Sequence, residues 1–188
     1  MAPPIATPET FARAVAGLRV PSPRAEIVLE EVGAPRRLAP YAFALSATVH
    51  HDADEMTTGR LILLHDPAGH EAWQGTLRLV TYVTAELEPD LAADQLLPTV
   101  GWTWLIDALD AHEASYRALG GTVTQTLSTR FGELAGPPPA GDIEIRASWT
   151  PVTDDLTPHL LSWCVLLASS AGLPPPGVST LADRRRNG

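Results

Sequence analysis

The residues best able to do chemistry lie together in one predicted turn. They are two imidazoles and two carboxylates, contributed by His65, Asp66, His70 and Glu71. Imidazole nitrogens and carboxylate oxygens bind zinc and similar ions, and the same groups act as general acids and bases. Their order matches no familiar ligand spacing such as HExxH. Because polar turn residues more commonly cap backbone groups, we expect no bound metal and no cofactor.

A second polar cluster ends the strand predicted before this turn. It begins with His50 and His51 and continues through the acidic residues Asp52, Asp54 and Glu55. If the strands on either side pair as a hairpin, this cluster lies beside the start of the next strand, whereas His65 lies at its far end. The two clusters are then at opposite ends of the hairpin, which argues against a shared metal site.

Other signatures of catalysis are weak. Cys164 lies in an apolar helical stretch, where a buried and unreactive thiol is expected. His112 continues the apolar stripe of the main helix, which favours a hydrogen-bonded core histidine. No serine lies in a GxSxG motif, and no glycine pattern matches a phosphate-binding loop or a dinucleotide fingerprint. The sequence therefore favours binding over catalysis.

Hydrophobic periodicity predicts the elements that position these side chains. The first helix opens at Thr7-Pro8-Glu9, and the predicted strands cover 26–32, 41–51, 60–64 and 76–87. The main helix follows at 102–119, then strands at 122–131 and 142–149, and a last helix at 157–170. Most strand connections are short, so the pairing should be mainly antiparallel.

Alternation along the strands predicts a sheet with one apolar and one polar face. In 76–87, Leu77, Leu79 and Val83 alternate with Arg78 and Tyr82. The order helix, four strands, helix, two strands, helix indicates an α+β two-layer sandwich, with three helices on the apolar face of about six strands. The polar face should carry Arg78, Tyr82, Thr84, Glu86, Thr124, Thr126, Arg130, Glu144 and Arg146.

Glycine, proline and aromatic residues mark the ends of these elements. The segment 66–69, Asp-Pro-Ala-Gly, has the composition of a tight turn. Trp73 follows it, where an exposed ring could contact a partner or ligand. Gly120-Gly121 is expected to end the main helix through a left-handed cap, and Glu113 and Arg117 to form an ion pair one helical turn apart.

Composition limits the class of protein. The chain has 188 residues, a net charge of −9, one cysteine and no lysine. A single cysteine excludes an intramolecular disulfide and suits a reducing compartment, and the acidic balance disfavours nucleic-acid binding. We expect no signal peptide, and the longest apolar stretch, 160–173, is too short to span a bilayer. We expect one cytoplasmic domain over 8–173, a disordered tail over 174–188, and no membrane contact.

Four long runs of the sequence resemble a known family. They are RLILLHDPAGHEAWQGTLRLVTYVTAELEPD, LLPTVGWTWLIDALDAH, GTVTQTLSTRFGELAG and DIEIRASWTPV. From about Phe11 to Leu173 the chain resembles the actinobacterial domain-of-unknown-function family 3000. The resemblance implies a bacterial source with a GC-rich genome, in line with the absent lysine. It implies no activity, cofactor or catalytic residue.

The function expected from these observations is that of a non-catalytic binding or regulatory module. It would contact an unidentified protein partner through the polar sheet face and the turn, and could form a homodimer through the last helix. The order of elements is similar to the secretion-chaperone-like fold, whose members bind partner proteins as dimers. The candidate binding residues are His65, Asp66, His70, Glu71, Trp73, Arg78 and Tyr82. The alternative is a small metal-dependent or acid–base enzyme with its site at the His65–Glu71 turn.

Overall fold

The described strands form one antiparallel sheet with helices on a single face. A computed structural model describes residues 7–51 and 54–176. The strands are β1 Ile27–Val32, β2 Tyr41–His51, β3 Asp54–His70, β4 Gly75–Leu87, β5 Tyr116–Ser128 and β6 Ala140–Pro151. The helices are α1 Glu9–Leu18, α2 Pro89–Ala92, α3 Leu97–Ala111 and α4 Thr157–Ser170. The predicted α+β sandwich is confirmed, with the short α2 added to the three expected helices.

The connections determine the strand order. β1 to β4 follow one another as antiparallel neighbours because short turns join them. β6 then inserts beside β4, and β5 pairs with the outer side of β6, which gives the order β1-β2-β3-β4-β6-β5. β1 and β5 are therefore the two edges of the sheet. Residues 52 and 53 of the expected acidic turn and 177–188 of the expected tail lie outside the described residues.

The core lies between the sheet and the helices. Leu61, Leu79 and Ile145 point from the central strands into this layer and are fully buried. α4 packs against α1, α3 and the sheet, and Val165 is its exposed position. The sequence allowed the apolar side chains around α4 either to be buried within the chain or to form a dimer. In the structure most of them are buried within the chain. Among the described helices, none has the length and apolar run that a membrane span requires.

The main helix is shorter than its periodicity predicted. It ends at Ala111, and the half-buried His112 caps it with ring Nδ1 2.9 Å from the Ala108 carbonyl oxygen. Glu113 takes a left-handed φ of 53°, which turns the chain into β5. Arg117 is then a strand residue paired with Thr150, so the expected helical pair with Glu113 does not form. Tyr116 continued the helical spacing in the sequence, but pairing with β6 decides its conformation.

The glycine pair belongs to β5 and does not cap a helix. Gly121 faces the helices, where an added Cβ would collide with the Arg146 carbonyl oxygen and approach the Trp102 ring to 2.9 Å. Glycine is therefore needed at this position for close packing. A register shift between Arg117 and Gly120 makes a bulge just before the pair, with Ala118 at a φ of 48°.

β3 runs further than predicted, and β5 ends earlier. β3 continues through the expected 66–69 turn, which is a bulged strand end with a register shift between His65 and His70 and with Gly69 at a φ of 77°. The chain actually reverses in the 3-10 turn Glu71–Trp73, closed by Gln74 in the left-handed region. At the other end of the sheet, Arg130 lies beyond β5 and bonds to the Pro138 carbonyl, so it leaves the predicted polar face.

Candidate functional site

The candidate residues divide between the two faces of the sheet. His65 lies on the helix face and is only 3% exposed. Its ring packs beside Phe11 and Tyr41, with ring centroids 6.0 and 5.9 Å away. Its Nδ1 lies 3.0 Å from the carbonyl oxygen of Thr76, which accepts a hydrogen bond. His65 is therefore a bonded core residue under α1.

The other polar residues of the turn have local partners. The carboxylate of Asp66 accepts the Ala68 N–H at 3.0 Å, and the His70 ring stacks on Trp73 with centroids 5.0 Å apart. Glu71 opens the 3-10 turn and is exposed. These contact partners differ from those of His65. The imidazoles of His65 and His70 therefore share no partner among these contacts. Across the described residues, no three His, Cys, Asp or Glu side chains group as a metal site.

Arg78 lies on the opposite face, which we call the open face. It is the face of Arg60, Tyr82, Arg146 and their alternating neighbours, and the described helices pack on the other side. The Arg78 guanidinium donates to the Ala118 carbonyl at 2.9 Å and to the Thr150 hydroxyl at 3.2 Å.

Arg78 also donates to the Ser148 hydroxyl at 2.7 Å. These acceptors are neutral, and no ion pair to Arg78 occurs within residues 7–51 and 54–176. Burial lowers the pKa of the half-buried Arg78 guanidinium because desolvation disfavours its charge.

A hydrogen-bond chain joins Arg78 to the turn. The Thr150 hydroxyl, which accepts from Arg78, donates to the Trp73 carbonyl at 2.5 Å. The 3-10 turn therefore meets the open face beside Arg78. Two candidates from the sequence, Trp73 and Arg78, are brought to one end of this face, and the stacked His70 ring accompanies them.

The third candidate on this face, Tyr82, belongs to a charged cluster. Its hydroxyl donates to Glu144 at 2.8 Å, and Arg146 donates to the same carboxylate at 2.7 Å. The Arg146 guanidinium also lies 5.1 Å from the centroid of the Tyr82 ring, a cation–π arrangement. The hydrogen bond to Glu144 raises the pKa of Tyr82 and lowers that of Glu144.

The strand register places Tyr82 between two arginines. Arg60 on β3 is opposite Tyr82 on β4, and Tyr82 is opposite Arg146 on β6. Because neighbouring strands lie about 4.8 Å apart, the two arginine backbones are separated by about 10 Å. The three residues form a row across the central strands, which we call the arginine–tyrosine row. Thr122 on β5 continues it to the edge.

A depression of about 410 Å³ lies beside this row. Gly120 lines this depression, and a Cβ added there would have no atom within 4 Å, so the space beside it is open. The wall residues include Val80, Tyr82, Thr122, Arg146 and Ser148. The open face therefore combines exposed guanidinium and phenol groups with a recess next to them.

A second cavity of about 430 Å³ lies at the end of the sheet near the turn. Its lining includes Thr10, Gln74, Arg117 and Asp154. Asp154 is already paired with Arg13 at 2.6 Å, which leaves its carboxylate partly neutralised. This cavity thus lacks the convergence of charged groups that the open face shows.

Two further titratable side chains, His159 and Cys164, are buried in the core. Nδ1 of the buried His159 accepts a hydrogen bond from the Trp149 indole N–H at 3.1 Å, and burial lowers the pKa of His159 to about 4, with Asp155 opposing the shift. Burial also raises the pKa of the Cys164 thiol to about 11. Neither group reaches solvent, so neither can act on a substrate.

Sequence reasoning missed Arg60 and His159. Within the predicted strand 60–64, the open-face positions are Arg60, Ile62 and Leu64, and two of these are apolar, so the sequence shows an apolar run without a polar side. His159 is the third residue of α4, where no periodic signal separates a buried imidazole from an exposed one. The arginine–tyrosine row can be identified only when the register between the strands is known.

The comparisons with known proteins give the family. The family model described as "Protein of unknown function (DUF3000)" matches residues 7–179. The chain belongs to the DUF3000 family. The match spans every element from α1 to α4, so both faces of the sheet are part of the DUF3000 domain. No curated protein and no solved structure matches the chain.

Proposed function

We propose that this DUF3000 protein is a non-catalytic binding module that docks an acidic protein partner on its open face. The observation that carries the proposal is the arginine–tyrosine row, Arg60, Tyr82 and Arg146, on a sheet face that the described helices leave uncovered. Arginine and tyrosine are the residue types that most often dominate the energy of protein interfaces.

The size of the face suits a protein partner. Six strands at about 4.8 Å spacing make a surface roughly 24 Å wide. Strands such as β2, with 11 residues, make it roughly 36 Å long. The product, roughly 850 Å², is close to one side of a standard protein–protein interface.

The arginines of the open face favour an acidic partner. Arg60, Arg78 and Arg146 lie together in the middle of this face and near the turn, whereas the acidic Glu86, Asp142 and Glu144 lie towards its other end. Arg78 is half-buried against neutral acceptors, and burial lowers its pKa because desolvation disfavours the charge. A carboxylate brought by a partner would compensate the charge of Arg78 and would be repelled by the acidic remainder of the surface. Nucleic acid remains a disfavoured partner because of the chain's net charge of −9.

The alternative of an enzyme at the His65–Glu71 turn has no comparable support. His65 is stacked and bonded in the core, while His70 and Glu71 lie at the turn itself. We also propose that the module works in the cytoplasm, since its single cysteine forms no disulfide within the chain and stays buried as a free thiol.

Quantitative affinity capture from native extract tests the proposal. The variant Arg60→Ala/Arg146→Ala removes two charges from the open face, and Arg13→Ala/Arg19→Ala removes two from α1 as a matched control. We expect a defined acidic partner to be lost by the first variant, kept by the control, and weakened by added salt. Equal capture by both variants and the wild type would contradict the proposal.

A further inference from the structure

Within the described residues, the β5 edge of the sheet is long and uncovered. β5 has 13 residues, all exposed or half-buried, and forms an outer strand of the sheet. Its sequence contains no proline, no aspartate and no glutamate, and Arg117 is its single charged residue. Natural edge strands usually carry charges or proline, or are short, because their unpaired backbone groups attract another strand. The bulge before Gly120 protects only the first residues, which leaves Gly120–Ser128 regular.

The opposite edge shows the protection that β5 lacks. β1 has six residues, and two of them are the exposed Glu30 and Glu31. Antiparallel pairing of β1 with another β1 in a register centred on Glu30 would place the two Glu30 side chains opposite each other, and like charges facing each other across strands are destabilising. Antiparallel pairing of β5 with another β5 would oppose threonine and valine side chains, which pair favourably.

Exposed apolar side chains extend this edge into the helix layer. Leu127 on β5 is 47% exposed, and Leu96 before α3 is 67% exposed. The Gln125 side chain of β5 donates to the Ala92 and Asp94 carbonyls at 2.6 and 2.8 Å, so the α2–α3 connection is bonded to β5. The edge therefore presents apolar surface in both layers of the sandwich.

We infer that a second copy of this chain docks on this edge, with β5 antiparallel to β5 and the two sheets continuous. A single extended peptide would satisfy the β5 backbone but would leave the helix-layer leucines in water. The same edge of a second copy offers a strand and a helix layer together, as a twofold interface requires. Two chains of net charge −9 repel each other, and β5, without acidic residues, is a place where they can approach.

The number of residues involved fits a stable dimer. The 13 residues of β5 are joined by five more exposed apolar side chains near it in sequence or in the fold, which makes about 18 residues on each copy. These are Leu91, Leu96, Val100, Phe131 and Leu134. A standard interface uses about 20–30 residues from each partner, so this edge is close to the lower limit. The open faces of both copies stay free, so the inference does not depend on the proposed partner.

Sedimentation velocity and native mass spectrometry of the full chain test the inference. The variants are Leu127→Asp on β5 and Leu96→Asp in the helix layer. Val28→Asp on β1 is the matched control, because Val28 is 45% exposed and Leu127 is 47% exposed. We expect a wild-type dimer, monomers for both leucine variants, and a dimer for Val28→Asp. Backbone amides of β5 should also exchange hydrogen faster in the Leu96→Asp monomer than in the wild type.

Two outcomes would overturn the inference. One is a wild-type monomer at high protein concentration, including a monomer that binds a synthetic peptide of residues 116–128. The other is a dimer that survives both leucine variants. If Leu127→Asp fails to fold, Leu96→Asp still decides the question, since Leu96 is largely exposed and its backbone N–H bonds to Asp94 whatever its side chain.

Discussion

Several polar side chains on the helix face of the sheet are buried and hydrogen-bonded within the chain, whereas those of the arginine–tyrosine row on the open face are accessible to solvent. Under the helices, the Trp163 indole donates to the Thr81 hydroxyl at 2.8 Å, and Ser162 donates to the Ala108 carbonyl at 2.9 Å. His159 and His65 are likewise bonded inside the chain. On the open face, the groups of the arginine–tyrosine row remain accessible. His65, which suggested chemistry in the sequence, is thus a structural residue, and the recognition groups that we propose are two arginines and a tyrosine.

We expect this difference in burial to give the two faces different roles, with the helix face determining stability and the open face partner binding. A buried polar group that loses its partner is left unsatisfied, whereas an exposed group exchanges its partner for water. Substitutions under the helices should therefore lower the free energy of unfolding. Substitutions on the open face should change partner binding and leave the fold nearly unaltered.

The largest expected effect is that of Trp163→Ala. Trp163 is fully buried, fills the space that Gly59 leaves, and bonds to Thr81. Its removal should lower the free energy of unfolding by about 3–5 kcal/mol, as measured by urea denaturation. Val165→Ala, at the exposed position of the same helix, should change it by less than about 1 kcal/mol. Similar losses for both would show that α4 is not the centre of the core.

Acid should destabilise the helix side through His159. The folded pKa of His159 is about 4 and the ordinary value is 6.5. Between these pH values the unfolded chain binds a proton that the folded chain does not, because burial disfavours the charged imidazole and Nδ1 accepts the Trp149 N–H. The free energy of unfolding should therefore fall by roughly 3 kcal/mol as the pH drops from about 6.5 to about 4.

The control for this prediction is His159→Gln. Glutamine does not titrate, so the part of the pH dependence that belongs to His159 should vanish, and the difference between the two denaturation series isolates it. Parallel curves for wild type and variant would mean that His159 is charged or solvated in the fold.

Gly120 and Gly121 are neighbours that point to opposite faces of the sheet, so substituting each of them compares the two faces directly. Gly121→Ala forces a methyl group against the Arg146 backbone and should lower the free energy of unfolding by about 1–3 kcal/mol. Gly120→Ala meets no atom within 4 Å and should leave stability unchanged while it narrows the depression on the open face. Thermal denaturation of both variants checks this order, and equal shifts would contradict the assignment of the faces.

A small effect on stability is also expected of Tyr82→Phe. The change removes the hydrogen bond to Glu144 on an exposed surface, so the free energy of unfolding should move by less than about 0.5 kcal/mol. The capture of an acidic partner should nonetheless weaken, because Glu144 then competes more strongly for Arg146. A clear loss of stability would place Tyr82 among the structural residues.

Local patterns in the sequence predicted much of the fold. Alternation in 76–87 correctly separated Leu77 and Leu79 from Arg78 and Tyr82, and α4 has the bounds that its periodicity gave. The hairpin argument also holds, since His50 pairs with Glu55 while His65 pairs with Tyr41 at the other end. These features depend on residues close in the chain.

The features that the sequence did not predict depend on distant contacts. Tyr116 continues a helical pattern, and only pairing with β6 makes it a strand residue. Arg60, Tyr82 and Arg146 come from three strands, so their row follows from a register that no local pattern specifies. His65 was predicted as a binding residue because its neighbours are polar, but the packing of α1 covers it.

Site-specific photo-crosslinking in cells that express the protein natively tests the open-face proposal most directly. Benzoylphenylalanine is placed at Thr84 on the open face and, separately, at Val165 on α4. The account predicts a covalent adduct from Thr84 with an acidic segment of one partner, lost in the Arg60→Ala/Arg146→Ala background and absent from Val165. An adduct from Val165 alone, or one from Thr84 that survives loss of the arginines, would contradict it.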